Sequence, residues 1–285
     1  MKSFLLSAIV LAFCSSTMAK DESLADLIKM HLVSIGSDQA RAAIKTRVVQ
    51  GTLKFKLLNQ AGLVDGKVVL VSEDNKSAAL LKLPNSGYHG ERFICDGRRI
   101  QVAQVKPGDW STLGAFVIAH PEIVTEGLFG GSLSTGWALQ RLEQNRPKLR
   151  DSGLKKIDGR ELRRIEYLPA KHSELEIFVY LDPQTGRHVM TSYSLSIAPT
   201  MGTTDLATSK QDYTRYYLEE RFDDFKDTEG LQLPRHWVVQ FTSEVPIDPN
   251  HPRFARSNTS VSQFDATANE ISQNVAVDPG NFVVK

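Results

Sequence analysis

Hydrophobic positions along this chain follow a helical period first and a strand period afterwards. Leu24, Leu27, Ile28, Leu32 and Ile35, with His31 in step, recur three and four residues apart, which predicts a helix with one apolar stripe. Ser23-Leu-Ala-Asp26 supplies a capping box at its start, and Gly36 suits a left-handed stop at its end. Residues 37–45, with Ala40, Ala42, Ala43 and Ile44, predict a second, shorter helix. The period then drops to two. Gly51, Leu53, Phe55 and Leu57 alternate with Thr52, Lys54 and Lys56, the pattern of a half-buried strand. Strand-like runs follow at 67–72, 77–83, 91–95 and 99–105, with Asp96-Gly97 as a hairpin turn between the last two.

Residues 111–145 interrupt this rhythm. Residues 111–120 read as helical up to Pro121, and 127–136 (GLFGGSLSTG) as a flexible connection. Ser134 is placed to cap a helix carrying Trp137, Ala138, Arg141 and Leu142. Strands resume at 160–168, 174–181, 189–197, 213–226, 231–242 and 257–271, with turns at Asp182-Pro-Gln-Thr-Gly186 and Asp227-Thr-Glu-Gly230. The expected fold class is α+β, mainly antiparallel β: about ten strands in a large curved sheet, with a few helices on one face. No low-complexity linker and no repeat divides the chain, so residues 20–285 are expected to form one domain with a helical insertion near 111–145.

The N-terminus reads as an address. Lys2 precedes an apolar run at 4–13, too short to span a bilayer, and Thr17-Met18-Ala19 offers small residues for cleavage before Lys20. Cys14 raises a lipoprotein signal as the alternative, but the residue before it, Phe13, is not small. The expected location is therefore outside the cytoplasm, in the periplasm, with an outer-membrane-anchored lipoprotein as the second option. No later segment approaches the length of a membrane-spanning helix.

Composition narrows the functional classes. Charged residues make up 24% and hydrophobic residues 41% of 285, which argues against disorder. The 34 basic residues are balanced by 33 acidic ones, and cleavage after Ala19 removes only Lys2, so a nucleic-acid partner is not expected. After cleavage Cys95 stands alone, in a strand-like run where a buried thiol is the expected state. The seven histidines show no His-x-x-x-His pair, and no glycine-rich phosphate loop occurs, so neither a metal nor a cofactor is expected. Ser132, in Gly130-Gly-Ser132-Leu-Ser134, lacks the second glycine of a nucleophile elbow. Ser152, in Ser152-Gly-Leu-Lys155, lacks the companion motifs of serine acyl-enzymes. The acidic group Asp223, Asp224, Asp227 and Glu229 reads as a solvated hairpin end. The basic stretch at 141–156 reads as solvated charge, with an anionic lipid surface as the alternative. Tyr213, Tyr216, Tyr217, Phe222 and Phe225 read as core rather than as a stacking platform for nucleic acid.

Val49-Gln-Gly51-Thr-Leu53 after the helix pair, Tyr180-Leu-Asp-Pro-Gln-Thr-Gly-Arg-His188, and the run from Phe222 to Pro234 with Asp-Thr-Glu-Gly at its centre resemble, in their joint order, the outer-membrane lipoprotein-sorting (lipoprotein carrier) family. The resemblance is spread over 23–242. It implies an unclosed, strongly bent β-barrel with helices as lid or plug, and a non-catalytic exported carrier of a lipid, lipoprotein acyl chains or another apolar ligand. Its partners would be a lipid or acylated protein and membrane-bound donor and acceptor proteins. Strand parity then nominates Leu53, Phe55, Leu57, Leu81, Phe93, Tyr193, Trp237 and Phe241 as ligand-binding residues, although Trp237 and Phe241 fit an ordinary core equally well. Phe116, Trp137 and Leu142 are the lid candidates. Two other classes stay open: an envelope sensor or regulator that binds a protein partner through the same fold, and a hydrolase using Ser132 or Ser152.

Overall fold

The computed structural model describes residues 23–58, 62–84, 88–108, 111–198, 214–245 and 258–285. The secretion signal read at 1–19, Cys14 and Tyr213 lie outside the described residues. Twelve strands form one antiparallel sheet: β1 (Thr46–Leu57), β2 (Val64–Glu73), β3 (Lys76–Lys82), β4 (Gly90–Cys95), β5 (Ile100–Gln104), β6 (Lys148–Ile157), β7 (Arg160–Leu168), β8 (Glu176–Leu181), β9 (His188–Ile197), β10 (Thr214–Thr228), β11 (Leu231–Val245) and β12 (Asn258–Gln273). Their spatial order is β5-β4-β3-β2-β1-β12-β11-β10-β9-β8-β7-β6, so the first and last strands meet at the centre and two hairpin wings spread from them. The outermost strands, β5 and β6, do not pair, which leaves the barrel unclosed, as the family resemblance implies. The resulting half-pipe has one end at tight turns such as Asp74-Asn75 and Glu229-Gly230; its other, long-loop end is where β1, β3, β9 and β11 finish, each before a longer stretch of sequence.

Parity on β1 shows how sequence sets the two faces. Arg47, Val49, Leu53 and Phe55 are buried on the concave side, while Gln50, Thr52, Lys54 and Lys56 are exposed on the other. The concave residues of all wings merge into one core that also takes in Leu27, Ile28 and Ile35 of α1 (Leu24–Ile35). Half of the capping box forms: Ser23 Oγ accepts from Asp26 N–H at 3.2 Å, and the Asp26 carboxylate accepts from Ser23 Oγ at 2.6 Å. Gly36 does not adopt the expected left-handed stop. Its backbone is nearly extended (φ 159°, ψ 175°), and glycine is needed there because a Cβ would lie 2.6 Å from Leu231 Cδ2. The second helix, α2 (Asp38–Ala43), is capped by Ser37 and ends before the expected Lys45. On the convex side the C-terminal tail contributes Phe282 to a small cluster with Val71 and Ala78.

Twelve strands form, in keeping with the expected sheet of about ten, β6 being the one without an apolar alternation to announce it. Two sequence expectations are corrected. The 127–136 run is not a flexible surface connection: Leu128 to Ser134 are buried, with a 3-10 turn at Gly131–Leu133. No helix starts at Ser134, whose hydroxyl instead accepts from Gly136 N–H at 3.1 Å. Trp137 leads into a second 3-10 turn, Ala138–Gln140, and a short α5 (Leu142–Asn145).

Candidate functional site

The gap between β5 and β6 is bridged by residues 105–147, and the centre of this bridge fills the half-pipe. It begins with α3 (Thr112–Ala119), whose sequence TLGAFVIA carries no charge, and continues through α4 (Glu122–Thr125) to the uncharged run 127–140. A surface helix needs a polar face. Leu113, Phe116 and Val117 of α3 are buried, yet Ile118 still faces outward, so this helix is apolar on both sides.

Aromatic side chains of the bridge stand where the two wings face one another. Phe129 packs on Phe93 of β4 (5.4 Å between ring centres) and on Trp237 of β11 (5.3 Å), touching both wings at once. Phe116 packs on Phe241 at 5.1 Å and on Tyr216 at 5.7 Å. On β1 and β12, Phe55 meets Phe264 at 4.8 Å, and Tyr88 packs on Phe55 at 5.6 Å. Leu53, Phe55, Leu81, Phe93, Phe116, Trp137, Tyr193, Trp237 and Phe241 are all buried in this one cluster, and Leu57 and Leu142 pack half-buried on its border. Beside the bridge, the concave face keeps two hollows of about 10 Å³ each. One is apolar, against Val49, Val68, Leu70 and Leu133; the other is polar, against Arg41, Arg47, Thr135 and Gln140.

Among the polar anchors that hold the bridge, five reach β4, β10, β1, β2 and α1. At its start Glu91 of β4 accepts from Ser111 N–H (2.6 Å), Ser111 Oγ (2.7 Å) and Tyr88 Oη (3.0 Å). In the middle, Glu220 of β10 accepts from Gly130 N–H (2.8 Å), Tyr193 Oη (2.8 Å) and Trp237 Nε1 (2.9 Å). Full burial pushes the Glu220 carboxyl up to about 7, although all three donors favour the anion. Arg47 Nη1 donates to the Ser132 carbonyl at 2.7 Å, and Ser72 Oγ on β2 accepts from Thr135 N–H at 3.0 Å.

The fifth anchor fixes a histidine tautomer. His31 Nδ1 lies 2.8 Å from the Gly186 carbonyl, which only accepts, so Nδ1 carries the proton. Nε2 is then the acceptor for Trp137 Nε1–H at 2.8 Å. Burial lowers His31 to about 4. Trp137 also stacks on His188 (4.5 Å, 22° between planes), and burial holds His188 well below its ordinary value. Sequence reasoning set His31 on the apolar stripe but did not foresee Glu220, His188 or Arg47 as anchors. Parity was the available signal, since Arg47 shares a face with Val49 and Glu220 with Leu218 and Phe222.

The serines of the hydrolase reading are far apart in character. Ser132 is buried, with its carbonyl on Arg47, whereas Ser152 lies in the β6 bulge between Asp151 and Leu154. Among the described residues no group of three metal-ligating side chains occurs, and no helix is long and apolar enough to cross a membrane.

No protein-family model matches the chain, and no curated protein is similar to it in sequence. Among solved structures it is similar to a LolA superfamily protein from Nitrosomonas europaea, at 11% identity and a TM-score of 0.46, over 91% of this chain and 97% of that one. It is also similar to a protein described as an outer membrane lipoprotein-sorting domain from Vibrio parahaemolyticus, at 10% identity and a TM-score of 0.43, over 90% and 95% of the two chains. A third similarity is to MucB in the Pseudomonas aeruginosa MucA/MucB complex, at 10% identity and a TM-score of 0.21, over 88% and 100%.

Proposed function

We propose that this protein is an exported, non-catalytic carrier or binding protein for an apolar ligand, a lipid or the acyl chains of a lipoprotein. In this reading residues 20–285 act as one domain in the periplasm, and the bridge at 111–145 is a stopper that the ligand replaces. One observation carries the reading: Phe129, on an uncharged and glycine-rich run, occupies the axis of the half-pipe and packs on Phe93 and Trp237 from opposite wings. A chain laid along that axis would meet the same walls. It would gain about 0.8 kcal/mol for each buried CH₂ group, which offsets the burial that the stopper gives up.

Native mass spectrometry of gently purified protein tests this, together with hydrogen exchange of 127–140 before and after adding a fluorescent fatty acid. The expected results are a lipid adduct and faster exchange in 127–140, with β10 and β11 unchanged. Absence of any adduct, with no probe binding and unaltered exchange, would end the carrier reading. N-terminal sequencing of exported material is expected to start at Lys20; a diacylated Cys14 would point to the anchored form instead.

A second reading, a regulator that binds a protein segment, is favoured by the free edge of β6, where Lys148, Lys155 and Lys156 are exposed. Pull-down of a protein by a ligand-free carrier, lost on substitution along β6, would support it.

A further inference from the structure

The buried carboxylates of the concave side, Glu91 and Glu220, each accept from three donors; near the tight-turn end, by contrast, two guanidinium groups point inward with no carboxylate paired to them. Arg47 on β1 is 3% exposed. It gives Nη1 to the Ser132 carbonyl, and its Nε has no partner. Arg235 shares the inward parity of Leu233 and Trp237 on β11. Its Nη2 donates to Thr228 Oγ1 at 2.9 Å, and its Nε is likewise a buried donor without a partner. Gln273 links the two, being the register partner of Arg47 and donating Nε2 to the Thr228 carbonyl at 2.7 Å. Its own orphan acceptor, Oε1, is uncharged and offers no counter-charge. Among the described residues neither arginine forms an ion pair, whereas Arg150, Arg160, Arg163, Arg215 and Arg221 on β6, β7 and β10 all do. A buried cation without its anion is costly, and guanidinium forks match carboxylate and phosphate oxygens in geometry as well as charge.

The surroundings of the two groups give the ligand a direction. Arg47 lines the polar hollow, and Val49, two residues further along the same face of β1, lines the apolar one with Leu133 and Arg235. Leu53 and Phe55 continue that face toward the long-loop end. Leu133 of the stopper lines the apolar hollow and Thr135 the polar one, and the Ser132 carbonyl, bonded to Arg47, is the acceptor that an incoming anion would replace.

We propose that Arg47 and Arg235 form a head-group site for an acidic amphiphile, a carboxylate or phosphate on an apolar chain whose tail runs along β1 from Val49 toward Phe55. This rests on the carrier reading and specifies its ligand class.

The test compares cis-parinaric acid with its methyl ester, which differ in charge and share the chain. The wild-type protein is expected to bind the acid about tenfold more tightly, the effect of one charge-assisted hydrogen bond. Arg47→Gln and Arg235→Gln should each narrow the ratio. The double variant should bind both probes alike. Equal binding of acid and ester by the wild-type protein overturns the proposal without needing any variant to fold. Discrimination that survives in a folded double variant also overturns it. So does a thermal stabilisation by acetate or inorganic phosphate alone that matches the acid and depends on the same arginines, since the ligand would then be a free oxyanion. If the protein binds neither probe, the carrier reading itself fails, an outcome distinct from equal binding of both.

Discussion

Arg47 and Ser132, 85 residues apart in sequence, are joined by a 2.7 Å hydrogen bond from a buried guanidinium to a main-chain carbonyl. The bond satisfies the carbonyl but leaves the cation without a counter-charge, and burial lowers the guanidinium from its ordinary value to about 10. Replacing Arg47 by Met of similar reach removes a desolvation cost of several kcal/mol, while the orphaned carbonyl costs about 1–3 kcal/mol. We expect Arg47→Met to be at least as stable as the wild type in urea unfolding. A loss of more than about 2 kcal/mol would mean that the cation is compensated. A residue retained at the expense of stability fits a role in binding.

Glu220 and His31 push stability in opposite directions with pH. The Glu220 carboxyl is held at about 7 in the fold, against 4.5 for the free group, so the native state binds more protons between these values and stability falls as pH rises through them. His31 is held at about 4 against 6.5, so its contribution is complete above 6.5 and is lost as pH falls toward 4. Each effect is on the order of 3 kcal/mol. His188 acts in the same sense as His31. We expect Glu220→Gln to steepen the loss of melting temperature between pH 6.5 and 4.5, because the opposing term is removed. His31→Gln should flatten it. Parallel curves for the wild type and Glu220→Gln would contradict the assignment.

Gly131 and Gly153 separate backbone strain from collision. Both have positive φ, 51° and 73°. A Cβ on Gly153 meets nothing within 4 Å, but on Gly131 it lies 2.8 Å from His188 Nδ1 and 2.9 Å from Phe222 Cζ. We expect Gly153→Ala to cost about 1 kcal/mol and Gly131→Ala about 2–4 kcal/mol in chemical denaturation. Equal costs would show that the stopper moves aside without penalty.

Cys95 is fully buried, with its Sγ accepting from Gly97 N–H at 3.3 Å, and burial raises its thiol above the ordinary value. Alkylation by iodoacetamide is expected to be slow in the native protein and fast in urea. Comparable rates would contradict the burial.

Much of the sheet is legible in the sequence because period-two alternation survives wherever one face is buried. The run Leu53, Phe55, Leu57 and the run Leu231, Leu233, Trp237, Val239, Phe241 announce their inner faces without help from the fold. Lys148–Ile157 was invisible because an edge strand wetted on both sides has no reason to alternate, and its bulge at Gly153 breaks even the remaining parity. The 127–136 run looked like a surface loop because glycines are common in loops. Its lack of any charge was the contrary signal. The convergence of Arg47, Gln273, Thr228 and Arg235 is set by the pairing of β1 with β12 and of β12 with β11, and no local pattern carries such long-range register.

That central pairing also shapes how the molecule must assemble. Lys45 N–H donates to Asn274 Oδ1 across 229 residues of sequence, whereas every strand in the two wings pairs with its immediate successor. The wings can therefore form early from local hairpins, and the union of β1 with β12 comes last. Closing so long a loop costs little more free energy than closing a short one, so the burden falls on time. Until synthesis reaches β12, the N-terminal wing waits with β1 as a raw edge. The apolar trough therefore does not exist until β12 has been made and has joined β1.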